Sequence, residues 1–355
     1  MDYIPHESLI FTNNVEEFCT IKVLRVYDSA VKKELDYPHE LEIHLTGNCP
    51  SRCKECSYAS RRKGQTIGLD KLEEIFSSIA GTNVHTVFFS GGGDPFAYPH
   101  WKELLELRDN YIPDKTIGLS TSLLMLPSDI DLSKIDFYQI HVSGYDKASY
   151  VDQISFNGFD RLYSNLLKVE ESGAKYVLKL IFNDYVYEHF TQYLDFFMQF
   201  NATNLVFKCE QNFLENEEIV SDVKTENIYL DILNSHPIKE KYSIIIDNRI
   251  DKLFYKGDVN ECHIVQKGLY CLIREDGAVY PCIASTYDAD NSIGNINDNP
   301  LHTFLNRGNL DKYNNIMLKG ACPLKACRHY RLNKTIQGEY VEGKDYSHIP
   351  IPDLL

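Results

Sequence analysis

The chain has 355 residues, 43% of them hydrophobic, and a formal net charge of −15 from 36 Lys and Arg against 51 Asp and Glu. That length and apolar content supply one or two buried cores, while the acid excess disfavours non-specific binding to nucleic acid. No run approaches the roughly 18 apolar residues of a membrane helix, and the start has neither a basic region nor an apolar stretch, so the expectation is a cytoplasmic protein off the membrane, its ten cysteines reduced or metal-bound.

In chain order, residues 1–40 read as a lead-in, short for a separate leader-recognition domain, in which Thr20-Ile-Lys-Val-Leu-Arg-Val-Tyr27 alternates like a strand. Leu41-Glu-Ile-His-Leu45 is also strand-like. It is followed by Thr46-Gly-Asn-Cys-Pro-Ser-Arg-Cys-Lys-Glu-Cys56, which spaces Cys49, Cys53 and Cys56 as C-x3-C-x2-C. Thiolates this close on an irregular loop can ligate three irons of a four-iron cluster, and with no fourth Cys nearby one iron stays open. A zinc loop short of a ligand, or three unrelated thiols, are the alternatives.

Leu69, Leu72, Ile75, Phe76 and Ile79 recur at helical spacing. Next, Val87-Phe-Phe-Ser-Gly-Gly-Gly-Asp-Pro-Phe96 reads as a buried strand feeding a tight loop, whose glycines let the backbone approach a ligand. The Asp94 carboxylate is able to accept a hydrogen bond from an ammonium group. Strands are expected at 116–121, 137–142, 176–182 and 204–208, with helices over 159–172 and 188–200 between them. Six alternating units predict a parallel α/β sheet with helices outside. Chemistry in such folds gathers at the C-terminal strand ends. Ser120, Thr121 and Ser122 fall there, as does Ser143. Lys179, Asn183 and Glu210 fall there too and receive no catalytic role.

The last hundred residues hold Cys262, Cys271, Cys282, Cys322 and Cys327. Asp276-Gly277 predicts a hairpin turn that carries Cys282 back toward the start of this segment. Five thiols suffice for one four-iron cluster but not two. A structural zinc site has the same ligand count.

The triad and the glycine motif, in this order, resemble the signature of the radical S-adenosylmethionine (SAM) superfamily. The resemblance implies a partial (β/α)6 barrel whose cluster holds SAM at its open iron. Gly92, Gly93 and Asp94 fall on the motif that holds the SAM amino group, with Asp in place of the commoner Glu, and Gly91 beside them is a further cofactor-binding candidate. Ser120, Thr121, Ser122 and Ser143 match the family's ribose and carboxylate contacts. Glu55 stands where relatives often carry an adenine-contacting aromatic, and Tyr58 is the candidate substitute. The C-terminal cysteines resemble the small SPASM/Twitch auxiliary-cluster domain. Cys262, Cys282, Cys322 and Cys327 are the preferred ligands of a single auxiliary four-iron cluster, and Cys271 is either an alternative ligand or a buried hydrophobe. The implied organisation is a lead-in over 1–40, a radical SAM core over 41–235 and an auxiliary-cluster domain over 236–355.

The resemblance further implies an oxidoreductase or maturase that cleaves SAM reductively to a 5′-deoxyadenosyl radical and abstracts hydrogen from an unactivated carbon. Its partners would be a one-electron reductant such as flavodoxin or ferredoxin and either a ribosomally made peptide, the preferred substrate, or a sugar, cyclitol or nucleotide. A cluster-dependent binding or sensor protein is the alternative from another class.

Overall fold

A computed structural model describes residues 10–11, 22–53, 56, 58, 64–209, 231–247, 262–287, 289–305 and 329–349. Among them the strands are β1 (Ile10–Phe11), β2 (Glu40–Ile43), β3 (Thr86–Phe89), β4 (Thr116–Thr121), β5 (Phe137–His141) and β6 (Lys175–Phe182). They continue with β7 (Asn204–Cys209), β8 (Ser243–Asp247), β9 (Tyr270–Ile273), β10 (Ala278–Tyr280) and β11 (Gly294–Asn295). The chain forms two compact units, one of Met1–Phe18, Cys49–Ser60 and Leu119–Phe254, the other of Cys19–Asn48, Arg61–Gly118 and Tyr255–Leu355.

In the first unit β5, β6, β7 and β8 are parallel neighbours in that order, and β1 runs antiparallel on β8. Parallel neighbours need crossover helices, and the helix Phe159–Glu171 supplies one by burying Leu162, Leu166 and Val169 at i, i+4 and i+7. Each such side chain is worth about 1.5–3 kcal/mol on burial. The expected helix over 188–200 is instead two, Asp184–Glu188 and Phe190–Phe197, meeting at His189. The second of them buries Phe190, Tyr193, Leu194, Phe196 and Phe197. Strand β8, Ser243-Ile-Ile-Ile-Asp247, was not among the sequence expectations, although its apolar run is a strand signal.

In the second unit β2 is flanked by β3 and β9, parallel to both, and β10 and β11 follow β9 in an antiparallel meander. A strand walled by partners on both edges reads apolar at Leu41 and Ile43, and both are fully buried. The helices Leu69–Ile79 and Trp101–Tyr111 lie in this unit, the first burying Leu72, Ile75, Phe76 and Ile79 as their spacing predicts.

The strand expected over 20–27 is overturned from Val23 onward, where residues Val23–Val31 form a helix. Val23, Leu24, Val26, Tyr27 and Ala30 lie on one helical face and pack into a core with Ile264, Leu269, Tyr270, Ile336 and Tyr346. That tertiary core overrides the β-branched alternation, which is a weak local preference.

Candidate functional site

The triad cysteines Cys49, Cys53 and Cys56 are half-buried and each stands outside helix and strand, and the Cys56 N–H donates to the Cys53 carbonyl at 3.3 Å. Three partly accessible thiols within so short a loop are a donor set suited to three corners of an iron-sulfur cluster. Among the described residues no three His, Cys, Asp or Glu side chains gather as a metal site. Glu55 lies outside the described residues. Tyr58 is described and buried.

The glycine loop is built more completely. It leaves β3 at Phe89, and the N–H groups of Ser90, Gly93 and Asp94 donate to the carbonyls of Ile43, Thr46 and Asn48 at 3.2, 2.7 and 2.8 Å. Gly91 and Gly92 have φ of +45° and +63°, a region where L side chains are strained. A Cβ on Gly93 would sit 1.8 Å from the Asn48 carbonyl oxygen, and Asn48 is the residue before Cys49 in the chain. The loop therefore has room for backbone alone, which fits a motif that holds a small polar group through its main chain.

Asp94 is buried, and its Oδ1 accepts the Phe96 N–H at 3.0 Å, capping the short turn Pro95–Ala97. The Trp101 indole N–H donates to the Pro95 carbonyl at 2.9 Å, and Phe89 and Phe96 pack on the Trp101 ring. An apolar floor thus fixes the far end of the loop.

In the first unit the hydroxyl residues stand at strand ends. Ser120 and Thr121 close β4, and Ser122 follows. Thr121 is buried, and its Oγ1 accepts the Leu123 N–H at 2.8 Å. Ser143 is buried just past β5, and its carbonyl accepts the Tyr193 hydroxyl at 2.9 Å. Asn183 caps the helix Asp184–Glu188 through Val186 N–H at 3.0 Å and donates to Gln153 at 2.8 Å, a structural duty. Lys179 lies within β6, and Glu210 lies outside the described residues.

One cluster went unrecognised in the sequence. Glu42 and His44 share a face of the β2 segment and are fully buried. His44 Nε2 lies 3.0 Å from Glu42 Oε1, and His44 Nδ1 lies 3.7 Å from Glu275 Oε2. Arg274 Nη2 donates to Glu275 Oε1 at 2.8 Å, Ser90 Oγ to Glu42 Oε1 at 2.8 Å, and the Tyr270 hydroxyl to Glu42 Oε2 at 2.5 Å. Burial alone would push the Glu275 carboxyl up, but the adjacent His44 ring and the hydrogen-bonded Arg274 guanidinium outweigh that and hold it at about 2. Burial pulls the His44 imidazolium down, yet Glu275 and Glu42 leave it above the ordinary histidine value. Ionisable Glu40, Glu42 and His44 alternating with apolar Leu41, Ile43 and Leu45 were the available signal, since buried charges need partners.

The hairpin forms as expected: β9 and β10 pair antiparallel, with Gly277 at φ +83°. Cys282 is buried just after β10, and Cys271 is fully buried on β9 opposite Leu41. Cys262 is half-buried at the start of the helix His263–Gln266, and its sulfur accepts a hydrogen bond from Asn333 Nδ2 at 3.6 Å. Cys322 and Cys327 lie outside the described residues. Among the described residues no helix is long and apolar enough to cross a membrane.

No curated protein matches the chain. Among solved structures, Streptococcus suis SuiB bound to precursor peptide SuiA has a similar fold, with TM-score 0.63 and 15% identity over 90% of this chain and 77% of that one. Native anSMEcpe with bound AdoMet and Kp18Cys peptide matches with TM-score 0.57 and 18% identity over 84% of this chain and 88% of its own. The radical SAM superfamily model matches residues 43–197, and that of SPASM, an iron-sulfur cluster-binding domain, matches residues 262–329. With the glycine loop inside the first match and the cysteine hairpin inside the second, the chain belongs to the radical SAM superfamily, in its SPASM/Twitch branch.

Proposed function

We propose that the protein modifies a ribosomally made peptide, forming a crosslink, a thioether or an altered residue by hydrogen abstraction. The observation that supports a peptide over a small metabolite is the likeness of fold to SuiB and anSMEcpe, each solved with a peptide and each matched over more than four-fifths of this chain. In this reading Cys49, Cys53 and Cys56 hold the first cluster. The backbone of Gly91, Gly92 and Gly93 and the carboxylate of Asp94 hold the SAM amino group. Ser120, Thr121, Ser122 and Ser143 serve its ribose and carboxylate, and Tyr58 its adenine. Cys262, Cys282, Cys322 and Cys327 hold one auxiliary cluster, with Cys271 as the alternative ligand. The core spans 41–235 and the auxiliary domain 236–355, after a lead-in over 1–40.

When bound, the cluster held by Cys49, Cys53 and Cys56 would supply the electron for reductive cleavage of SAM, and with it the power to abstract hydrogen from substrate carbon; cofactor chemistry of this kind leaves binding and orientation to the protein. The glycine loop orients SAM without moving, because its turn is pinned at both ends by the backbone bonds to Ile43, Thr46 and Asn48. The phenyl rings of Phe89 and Phe96 with Trp101 keep water from beneath the loop. The external electron donor is a flavodoxin or ferredoxin.

The test is to incubate anaerobically reconstituted protein with SAM, dithionite and synthetic peptides drawn from the short reading frames that flank its gene. The account expects 5′-deoxyadenosine together with a peptide altered in mass. SAM cleavage with an unaltered peptide, and consumption of a sugar or nucleotide instead, would overturn the peptide reading and leave the reaction class standing.

A further inference from the structure

We propose that Glu275, on the hairpin of the SPASM segment, is a positioning residue that acts with His44 to hold the Gly91–Gly92 turn in its SAM-binding shape; this rests on the reading of residues 91–94 as the SAM loop. The contacts are direct. A Cβ on Gly92 would lie 2.9 Å from Glu275 Oε2, so the carboxylate is seated against the Cα of Gly92. A Cβ on Gly91 would lie 2.1 Å from His44 Nε2, so the imidazole occupies the space a side chain would need. Glu42, on the other side of His44, accepts the Ser90 hydroxyl at 2.8 Å, which engages the residue where the loop begins.

The buried line therefore runs from Arg274 to Glu275 by a hydrogen bond, from Glu275 to His44 across a 3.7 Å charge contact, and from His44 through Glu42 to Ser90 by hydrogen bonds, and it touches three consecutive loop residues. Its geometry follows from the sheet. Strand β9 pairs in parallel with β2, and the His44 N–H donates to the Ile273 carbonyl at 2.9 Å, so residues 274 and 275 arrive beside His44. Gly277 N–H donates to Arg274 carbonyl at 2.8 Å and closes the hairpin that aims Glu275 inward.

Four buried ionisable groups are a costly way to fill a core that apolar side chains would stabilise as well or better. Here they meet two left-handed glycines whose conformation has no side chain of its own to enforce it. A shaped, charged support is what such a turn lacks. The hairpin of the auxiliary domain is thereby part of the SAM site and not only of the substrate side.

The experiment uses reconstituted full-length protein carrying Glu275→Gln, and separately Arg274→Gln with Glu275→Gln, which removes both charges and avoids stranding a buried guanidinium. Iron content and circular dichroism are recorded first. SAM affinity is then read from the SAM-induced change in the EPR signal of the reduced cluster, and from KM and kcat for 5′-deoxyadenosine formation. The account expects KM and Kd for SAM to rise about tenfold or more in both variants, with kcat falling far less and iron content unchanged. Glu275→Asp, which keeps the charge, should recover part of the affinity. Wild-type affinity in a folded, iron-replete variant would overturn the proposal alone. Absence of any SAM-induced EPR change in the wild-type protein would overturn the SAM-loop reading and the proposal together.

Discussion

The glycine loop and the triad loop carry the two halves of the expected chemistry, and they are built differently. Residues 90–94 are fixed by backbone bonds, by left-handed glycines without room for a Cβ, and by the buried Glu42–His44–Glu275 group. Cys49, Cys53 and Cys56 stand outside helix and strand, with half-buried thiols. In the proposed reading the fold itself shapes the turn that would hold SAM, and the cluster that the cysteines would bind adds order to their loop, because binding free energy of a metal centre is also folding free energy.

The sharpest way to break this contrast is Gly93→Ala. Its Cβ would collide with the Asn48 carbonyl, and because the neighbour is backbone, the loop must shift. SAM binding should fall by roughly a hundredfold or more, about 2.7 kcal/mol, while the iron content measured by colorimetric assay stays at the wild-type value. Joint loss of iron would mean that the two loops are one structural piece.

Replacing Cys322 and Cys327 together with Ala comes next. SAM cleavage should persist, at least slowly, and product formation on the true substrate should nearly vanish, provided circular dichroism shows a folded domain. Glu275, in the same segment of sequence, is expected to do the opposite and weaken SAM binding. A wild-type turnover rate in the cysteine variant would make those thiols scaffold.

Asp94→Asn has a smaller effect and a clean interpretation. Asn caps helical turns about as well as Asp, so the bond to Phe96 N–H is kept and only the charge is lost. Loss of a charge-assisted hydrogen bond should weaken SAM binding by roughly 1.5–3 kcal/mol, read by titration. An unaltered affinity would leave Asp94 as a turn cap and the holding to the glycine backbone.

The smallest expected effect is on stability in acid. Glu275 is held at about 2 in the fold against an ordinary 4.5, so its contribution is present above pH 4.5 and is lost as pH falls toward 2. Denaturant midpoints should decline across that window, and Glu275→Gln should flatten the decline. His44, held above its ordinary 6.5, contributes below that pH and loses its part as pH rises through its folded value.

Much of the fold was legible because periodicity reports burial. Strand β4 matches its expected bounds, β5, β6 and β7 match theirs within a residue, and the helix Leu69–Ile79 follows its apolar spacing. Thr20–Tyr27 misled because a β-branched alternation is compatible with a helix once Val23, Val26 and Tyr27 face a core contributed by residues more than two hundred positions away. The family was legible where chemistry is local, in the cysteine spacing and the glycine run. The support of that run was not, since Glu42 and His44 acquire meaning only when β9 brings Glu275 beside them.

The most direct test of the central claim is the iron and sulfide content of anaerobically reconstituted protein, measured with 5′-deoxyadenosine formation, in wild type and in Cys53→Ala with Cys56→Ala. The account predicts about eight irons in the wild type, for two four-iron clusters, and half that number with no 5′-deoxyadenosine in the double variant. A wild-type content near four irons with one equivalent of zinc would contradict the auxiliary cluster, and 5′-deoxyadenosine from the double variant would contradict the triad as the site of SAM cleavage.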